Sequence, residues 1–298
     1  MPQTPWFRET RPQFLLLSVA LVAHGGMLAL WQGSSNWLRF VLAAIGLVLL
    51  HASVNVLNDW HDHARSGIDL HTTQTPFSGG SGLLRAGAMS DRQALALGIG
   101  TLLTGSIIGL YLSWVSGWQL LVIGAIGAVA VIAYTPILTR VGFGEIAAGF
   151  ALGTLPVVGT YFVMTGRIDT VAWVSGIPAG LLTYNLLLLN EFPDRDADKA
   201  GGRRHMVVLL GKKSARWLYA AIEVGVYLSI VVSVVVGVLT PWALLALPAA
   251  FFAWRAIRTT LKYYDHFEEL IPAQGANVIA VLLTNALLAL GYLVAALA

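Results

Sequence analysis

Two clusters of acidic and amide side chains are the residues of this sequence best suited to chemistry. Each begins where a long apolar run ends, and each opens with the pattern Asn-[Asp/Glu]-x-x-Asp. Carboxylates held close together repel one another unless a proton or a cation lies between them, and oxygen ligands without cysteine suit a hard cation. The pattern residues are Asn58, Asp59 and Asp62 in the first cluster and Asn190, Glu191 and Asp194 in the second.

Magnesium is the cation that these ligands favour. It is usually bound by one or two carboxylates together with phosphate oxygens of a substrate. Two such clusters facing each other could hold separate magnesium ions and clamp one diphosphate between them. Nearby cations could neutralise the remaining charge of the diphosphate. These cations are Arg65, Arg140, Lys199, Arg203 and Arg204.

The spacing within each cluster predicts which side chains share a face. Residues four apart on an α-helix are separated by only about 40° around the axis. Asn58 and Asp62 should therefore point together, and so should Asp194 and Asp198. Asp196 should point away and be a solvated charge. The alternative, that both clusters are ordinary hydrated loops, is disfavoured because the pattern occurs twice.

Pro193 lies inside the second cluster and predicts a break there. Proline lacks the backbone N–H that continues a helix and is common at the first position of a new one. We therefore expect the preceding helix to end near Asn190 and a short helix to begin at Pro193.

Other polar residues have less specific interpretations. His61, His63 and His71 crowd the first cluster and raise the alternative of a zinc site, but they show no helix-face pairing with a carboxylate. Glu223 lies within an apolar run, where a functional and a structural role are equally open. Two further histidines in apolar runs are expected to be hydrogen-bonded structural residues. These are His24 and His51.

The elements that must position these clusters are membrane-spanning helices. Of the 298 residues, 57% are hydrophobic and only 11% are charged, against about a quarter charged in soluble domains. Runs long enough to cross the bilayer as helices, and too continuous for barrel strands, predict an all-α integral membrane protein with nine transmembrane helices. The runs are 13–33, 37–57, 92–114, 118–134, 142–164, 170–190, 214–236, 241–257 and 275–297.

The repeated pattern indicates an internal duplication within a single membrane domain, 1–298. Each pattern follows the second helix of a group of four, so two parallel pseudo-repeats would place their clusters across one central cavity. The first pseudo-repeat covers about 13–134, the second about 142–257, and an extra helix covers about 275–297.

Charge placement predicts the orientation in the membrane. All but two of the 18 Lys and Arg residues lie at the amino terminus or near the connections after the even-numbered helices; the exceptions are Arg39 and Arg167. By the positive-inside rule, the amino terminus and both acidic clusters should face the cytoplasm. Because the chain contains no cysteine, disulfides, thiol nucleophiles and thiolate metal sites are excluded.

At these motifs the sequence resembles the UbiA superfamily of intramembrane prenyltransferases, and the resemblance covers nearly the whole chain. The segments Asn58–Asp62 with Ser66–Asp69, and Asn190–Asp198 with Lys199–Arg203, look most like the branch that joins a polyprenyl chain to 1,4-dihydroxy-2-naphthoate. The stretch Tyr134–Pro136 with Arg140 is similar to a superfamily feature near the diphosphate.

The resemblance implies magnesium-dependent transfer of a polyprenyl group to an aromatic quinone precursor. The diphosphate would contact Asn58, Arg65, Arg140, Asn190, Lys199 and Arg203. The residues implied in catalysis are Asp62, Asp194, Arg140 and Tyr134; Tyr161 and Tyr184 could also face the allylic cation, although plain packing is favoured for these tyrosines. The implied metal ligands, with Asp59 added from the first pattern, are Asn58, Asp59, Asp62, Asp69, Asn190, Asp194 and Asp198.

Two departures from the superfamily pattern affect the substrate. Ser66 stands where many members have an aspartate, and the segment Thr75–Gly82 replaces one expected to contain arginine. The expected partners are a polyprenyl diphosphate, an aromatic acceptor and the lipid bilayer, with no nucleic acid; oligomeric state is open. A terpene cyclase using the same ionised substrate, and a cation-dependent transporter, are the alternatives.

Overall fold

The part of the chain that the structure describes is mostly helical and contains no strand. This computed structural model describes residues 4–70, 74–77 and 79–298, so His71 and Ser78 lie outside the described residues. The predicted all-α class is confirmed. In chain order, the α-helices α1 to α13 are Pro5–Glu9, Pro12–Trp31, Trp37–His61, Asp91–Ser116, Gln119–Ala133, Thr139–Val141, Gly144–Ala148, Leu155–Thr165, Thr170–Ala200, Met206–Leu210, Lys212–Val235, Ala250–Tyr263 and Phe267–Leu297.

Wider and tighter helical turns interrupt this series. π-helical turns, which often occur at functional sites, cover Asp62–Ser66, Tyr134–Leu138 and Gly149–Thr154. Two 3₁₀ segments cover Ile68–Leu70 and Pro241–Ala249. Two of the π-turns therefore begin at residues to which the sequence assigns chemistry, Asp62 and Tyr134.

Seven helices of the described residues are long and apolar enough to cross a membrane. They correspond to seven of the nine predicted spans. The fourth predicted span is the shorter helix α5, of 15 residues, and the eighth is divided between the 3₁₀ segment Pro241–Ala249 and α12. The count of nine spans, the two pseudo-repeats and the single-domain boundaries stay predictions.

Buried hydrogen bonds tie the long helices together. His24 on α2 contacts Asn285 on α13 (2.9 Å) and Ser175 on α9 (2.8 Å) through its two ring nitrogens. His51 on α3 contacts Ser18 on α2 at 2.9 Å. Both histidines are buried, so the prediction that they are hydrogen-bonded is confirmed; His51 also lines the cavity described below.

Glycine packing brings the segment from α7 to α8 against α9. A Cβ atom on Gly153 would lie 2.6 Å from the carbonyl oxygen of Ala179 and 2.7 Å from the Cα of Gly180. Only a residue without a side chain permits this approach. The contact holds α7, which carries Glu145, alongside the part of α9 that carries the second acidic cluster.

Candidate active site

Both acidic clusters line one cavity of about 680 Å³. At the polar end of this cavity lie side chains of α3, of the segment that follows it, and of α9. The remaining walls are mostly apolar and come chiefly from α3, α4, α5 and α8. The cavity therefore combines a charged end with an apolar compartment inside the bundle. Its polar wall includes Asn58, Asp59, Asp62, Asp69, Asn190, Glu191, Asp194 and Asp198.

The first cluster lies where α3 changes into a π-turn. Asn58 and Asp62 both line the cavity, as their spacing predicts. Asp59 is buried and accepts a hydrogen bond from the backbone N–H of Ser81 at 2.6 Å. The guanidinium of Arg11 lies 3.9 Å from Asp59. Asp59 is thus already held by the segment that covers the cluster.

Asp69 also reaches the cavity, from the short 3₁₀ segment. Its Oδ2 atom contacts Nδ1 of His63 at 2.6 Å. His61 instead approaches Asp62, at 3.8 Å. Within the described residues, the two histidines therefore belong to different pairs rather than to one metal-ligand group.

The second cluster lies on an unbroken helix. The predicted break at Pro193 is wrong, because α9 continues through this proline to Ala200. A proline removes one hydrogen bond of the helix ladder, whereas the neighbouring Leu189 and Phe192 are fully buried and their packing holds the backbone on both sides. The continuous helix keeps Asn190, Asp194 and Asp198 on the face that lines the cavity.

Asp196 lies on the opposite face of α9, as the helical spacing of the second cluster predicts. Its side chain is 81% exposed and pairs with Arg195 at 2.8 Å. The prediction that Asp196 points away from Asp194 and Asp198 is confirmed.

Arg203 joins the two clusters directly. Its Nη2 atom donates to Oδ1 of Asp62, and its Nη1 atom donates to Oδ1 of Asp198 at 2.8 Å. Burial alone would lower the pKa of Arg203, but the carboxylates of Asp62 and Asp198 raise it above its usual value. Arg203 is thus a permanent cation placed between the two acidic groups.

Three other predicted cations lie outside the cavity wall. The side chains of Arg65, Arg140 and Lys199 are exposed, and none of them is among the residues that line the described cavity. Arg65 lies over the ring of Trp60, 5.4 Å from its centroid. Any contact of these three cations with a diphosphate would require their side chains to move.

Among the tyrosines, Tyr134 lines the cavity. Its electrostatic neighbours include Glu191 and Arg203. Tyr161 and Tyr184 do not belong to the described cavity wall; the hydroxyl of Tyr161 donates to Asp169 at 2.6 Å.

Several cavity residues were not predicted from the sequence. Arg11, Arg85 and His205 line the polar end, and Glu9 lies just behind it, where its Oε2 atom accepts a hydrogen bond from Ser81 Oγ at 2.6 Å. Burial, with the charge of Asp59 second, raises the pKa of Glu9 to about 7. Their positions depend on how the amino-terminal segment and the loops fold over the clusters, which no local pattern reveals.

The arrangement fits the magnesium that the sequence predicts. Among the described residues, four oxygen atoms of the predicted ligands are buried without a hydrogen-bond partner. Such atoms are costly unless a cation or proton satisfies them, and oxygen-only ligands are those that magnesium prefers. The atoms are Oδ1 of Asp59, Asp69, Asn190 and Asp194.

Glu223 lies away from this site. It is fully buried on α11, and it is not among the residues that line the described cavity. The structure therefore does not connect it to the chemistry of the two clusters.

Comparison with known proteins identifies the family. The model of the UbiA prenyltransferase family matches residues 16–269. The chain belongs to the UbiA prenyltransferase family. It is therefore a prenyltransferase-type enzyme, which decides against the transporter alternative. Together with the seven apolar helices, UbiA membership identifies an integral membrane protein.

Two of the curated relatives are named 1,4-dihydroxy-2-naphthoate octaprenyltransferase. The chain is 30% identical to 1,4-dihydroxy-2-naphthoate octaprenyltransferase of Bacillus subtilis over 251 residues, which cover 81% of this chain and 77% of the relative. It is 27% identical to the Escherichia coli enzyme of the same name, covering 96% of this chain and 94% of that one.

Solved structures share the UbiA fold. A UbiA homologue from Aeropyrum pernix matches with a TM-score of 0.65 and 18% identity, over 89% of this chain and 94% of that one. A homologue from Archaeoglobus fulgidus, bound to GPP and Mg²⁺, matches with a TM-score of 0.61 and 16% identity, over 97% and 99% of the two chains.

Proposed function

We propose that this enzyme transfers a polyprenyl group from its diphosphate to an aromatic quinone precursor such as 1,4-dihydroxy-2-naphthoate, in a magnesium-dependent reaction. The observation that carries the proposal is the single cavity in which both acidic clusters meet an apolar compartment. The naphthoate octaprenyltransferases to which the chain is similar support this acceptor class, and the homologue bound to GPP and Mg²⁺ supports the donor class and the metal.

The protein would bind the donor by its two chemically different ends. The diphosphate would lie at the polar end, close to Asn58, Asn190 and Asp194, with Arg203 holding Asp62 and Asp198 in place beside it. The prenyl chain would occupy the apolar compartment, where burial of its surface stabilises binding. Magnesium held at the polar end would supply Lewis-acid stabilisation of the departing diphosphate.

The chemical step follows from this placement. The allylic carbon–oxygen bond breaks, the diphosphate keeps the electron pair, and an electron-rich carbon of the aromatic ring forms the new bond to the allylic carbon. That ring carbon then loses either its proton or its carboxylate, as carbon dioxide, and the electron pair of the broken bond restores the aromatic ring. Apolar walls keep water from competing for the allylic cation. Tyr134, on the cavity wall, is placed to present its ring to this cation.

The side of the membrane is part of the proposal. The Lys and Arg distribution supports a cytoplasmic position for the amino terminus and both acidic clusters.

Diphosphate release by the purified, detergent-solubilised protein tests the proposal. The protein is given geranylgeranyl diphosphate and magnesium, with and without 1,4-dihydroxy-2-naphthoate, and the lipid extract is analysed by mass spectrometry. A prenylated aromatic product that requires both substrates and the metal is expected. Release without the aromatic, with a cyclised hydrocarbon or alcohol as product, would establish the cyclase alternative instead.

A matched pair of variants assigns the reaction to the site. Asp194→Asn should lower diphosphate release about 100-fold or more, because it removes a carboxylate ligand of the magnesium that would stabilise the departing diphosphate. Asp196→Asn removes the same charge two residues away on the exposed side of α9 and should release diphosphate at the wild-type rate. Near-full turnover by Asp194→Asn would refute the metal-ligand assignment.

A further inference from the structure

One member of the second acidic cluster, Glu191, meets two side chains from outside both clusters, and the proposed reaction uses none of the three. Glu145 begins α7, Glu191 belongs to α9, and His205 lies just before α10. One ligand atom from each lies within 4.8 Å of the other two. Three separate segments of the chain thus bring two carboxylates and an imidazole to one point.

All three side chains are withdrawn from solvent. Glu145 is 0% exposed and His205 is 2% exposed. Oε2 of Glu145 and Oε2 of Glu191 are buried and make no hydrogen bond of good geometry among the described residues. Two facing carboxylates in such surroundings require a cation or a shared proton between them.

The carboxylates beside His205 favour its imidazole as a metal ligand. Nε2 of His205 lies 3.2 Å from Oδ2 of Asp198, whereas Nδ1 lies 3.3 Å from Oε2 of Glu191. A carboxylate beside one ring nitrogen favours a proton there and leaves the lone pair of the other nitrogen for a metal. Asp198 thus orients His205 so that Nδ1 faces Glu191.

A second contact fixes the opposite ligand. Oε1 of Glu145 accepts a hydrogen bond from the backbone N–H of Met206, so this carboxylate is oriented while Oε2 stays available. Ligand atoms about 2.1 Å from a tetrahedral ion lie about 3.4 Å apart. Small side-chain rotations would bring the three ligand atoms to that spacing.

We propose that Glu145, Glu191 and His205 form a separate binding site for a divalent transition metal of the zinc class. An imidazole together with carboxylates suits zinc better than magnesium, which prefers oxygen ligands alone. Three protein ligands leave a fourth position, and since Glu191 and His205 line the cavity, that position opens towards it. The proposal does not depend on which acceptor the enzyme uses.

Metal retention by the full-length, detergent-purified protein tests the site. The protein is loaded with Zn²⁺ in a large excess of Mg²⁺, passed through a desalting column and analysed for metal content, and Co²⁺ replaces Zn²⁺ for visible absorption spectroscopy. Wild type should retain one equivalent of Zn²⁺, and Co²⁺ should give the ligand-field bands of a site with a nitrogen ligand.

Two variants separate this site from the diphosphate site. Glu145→Gln keeps an oxygen for the Met206 N–H but loses the ligand charge, and it should weaken Zn²⁺ retention about tenfold or more. Asp62→Asn changes a residue of the other site and should retain Zn²⁺ as wild type does. Size-exclusion profiles show that each variant is folded.

Two results would overturn the proposal. If Asp62→Asn loses Zn²⁺ as Glu145→Gln does, the metal lies at the diphosphate site. If wild type retains no Zn²⁺ under these conditions, Glu145 and Glu191 share a proton instead of a metal. Neither result would affect the proposed prenyl transfer, because diphosphate release is measured with Mg²⁺ alone.

Discussion

Replacing Arg203 removes the only side chain seen, among the described residues, to bond carboxylates of both acidic clusters. Arg203→Gln would lose two charge-assisted hydrogen bonds, to Asp62 and to Asp198, and leave both carboxylates largely buried. Breaking a buried ion pair costs about 3–5 kcal/mol. Because the side chain of Arg203 is 15% exposed, we expect the lower end, about 3 kcal/mol, which corresponds to a fall in melting temperature of about 6 °C.

The loss should depend on magnesium. Without Arg203, two adjacent carboxylates repel each other, and a divalent cation can replace the missing charge. A cation that binds the folded state and is present at about 100 times its dissociation constant stabilises it by about 2.7 kcal/mol. Magnesium should therefore recover most of the stability that Arg203→Gln loses, and should stabilise wild type less.

Thermal unfolding in detergent, followed by intrinsic tryptophan fluorescence across a magnesium titration, measures both effects. Arg204→Gln is the matched control, because Arg204 is the adjacent cation and its side chain is exposed. If Arg203→Gln and Arg204→Gln unfold at the same temperature, or if magnesium leaves the difference between them unchanged, the bridging role of Arg203 is refuted.

Three further predictions concern other parts of the molecule. Burial raises the pKa of Glu9 from 4.5 to about 7, so ionisation should remove up to about 3 kcal/mol of stability as the pH rises from 4.5 to 7. Glu9→Gln should flatten the resulting dependence of melting temperature on pH, and equal slopes in wild type and variant would contradict this prediction. Gly153→Ala should cost about 1–3 kcal/mol by forcing a Cβ against Ala179, whereas Gly100→Ala, which meets open space, should not; equal melting temperatures would argue against the close packing. Because the chain has no cysteine, Arg167→Cys, just before α9, and Asp196→Cys, near its end, each give a single label site. An impermeant maleimide applied to intact spheroplasts should label only Arg167→Cys, and labelling of Asp196→Cys would reverse the proposed orientation.

The sequence predicts best those features that depend on short-range periodicity. The separation of Asp194 and Asp198 by one helical turn was enough to place both on the cavity wall and Asp196 outside it. The same local reasoning failed at Pro193, because burial of Phe192 and Leu189 outweighs one missing hydrogen bond. A local rule about proline does not include the packing of its neighbours.

Contacts between distant segments could not be predicted in this way. Arg203 looked like one of several loop cations, and only the fold shows that it contacts Asp62, which lies far away in the chain. Glu145 and His205 belong to no repeated pattern, so nothing in the sequence indicated that they would meet Glu191. In the same way, hydropathy predicted nine runs but could not show that the eighth would begin as a 3₁₀ segment.

Asp198 connects the diphosphate site to the proposed transition-metal site. One of its carboxylate oxygens contacts Arg203 and the other lies beside His205, so the orientation that suits one site constrains the other. A metal held by His205 would fix Asp198 and so change the affinity of the acidic clusters for magnesium. Because coupling between binding sites is reciprocal, magnesium must then change the affinity of the His205 site for its metal by the same factor. Measuring Zn²⁺ retention at several magnesium concentrations, and magnesium binding with and without Zn²⁺, compares the two factors. Factors different from one would show that the two sites are coupled, and loss of this coupling in Asp198→Asn would assign it to Asp198.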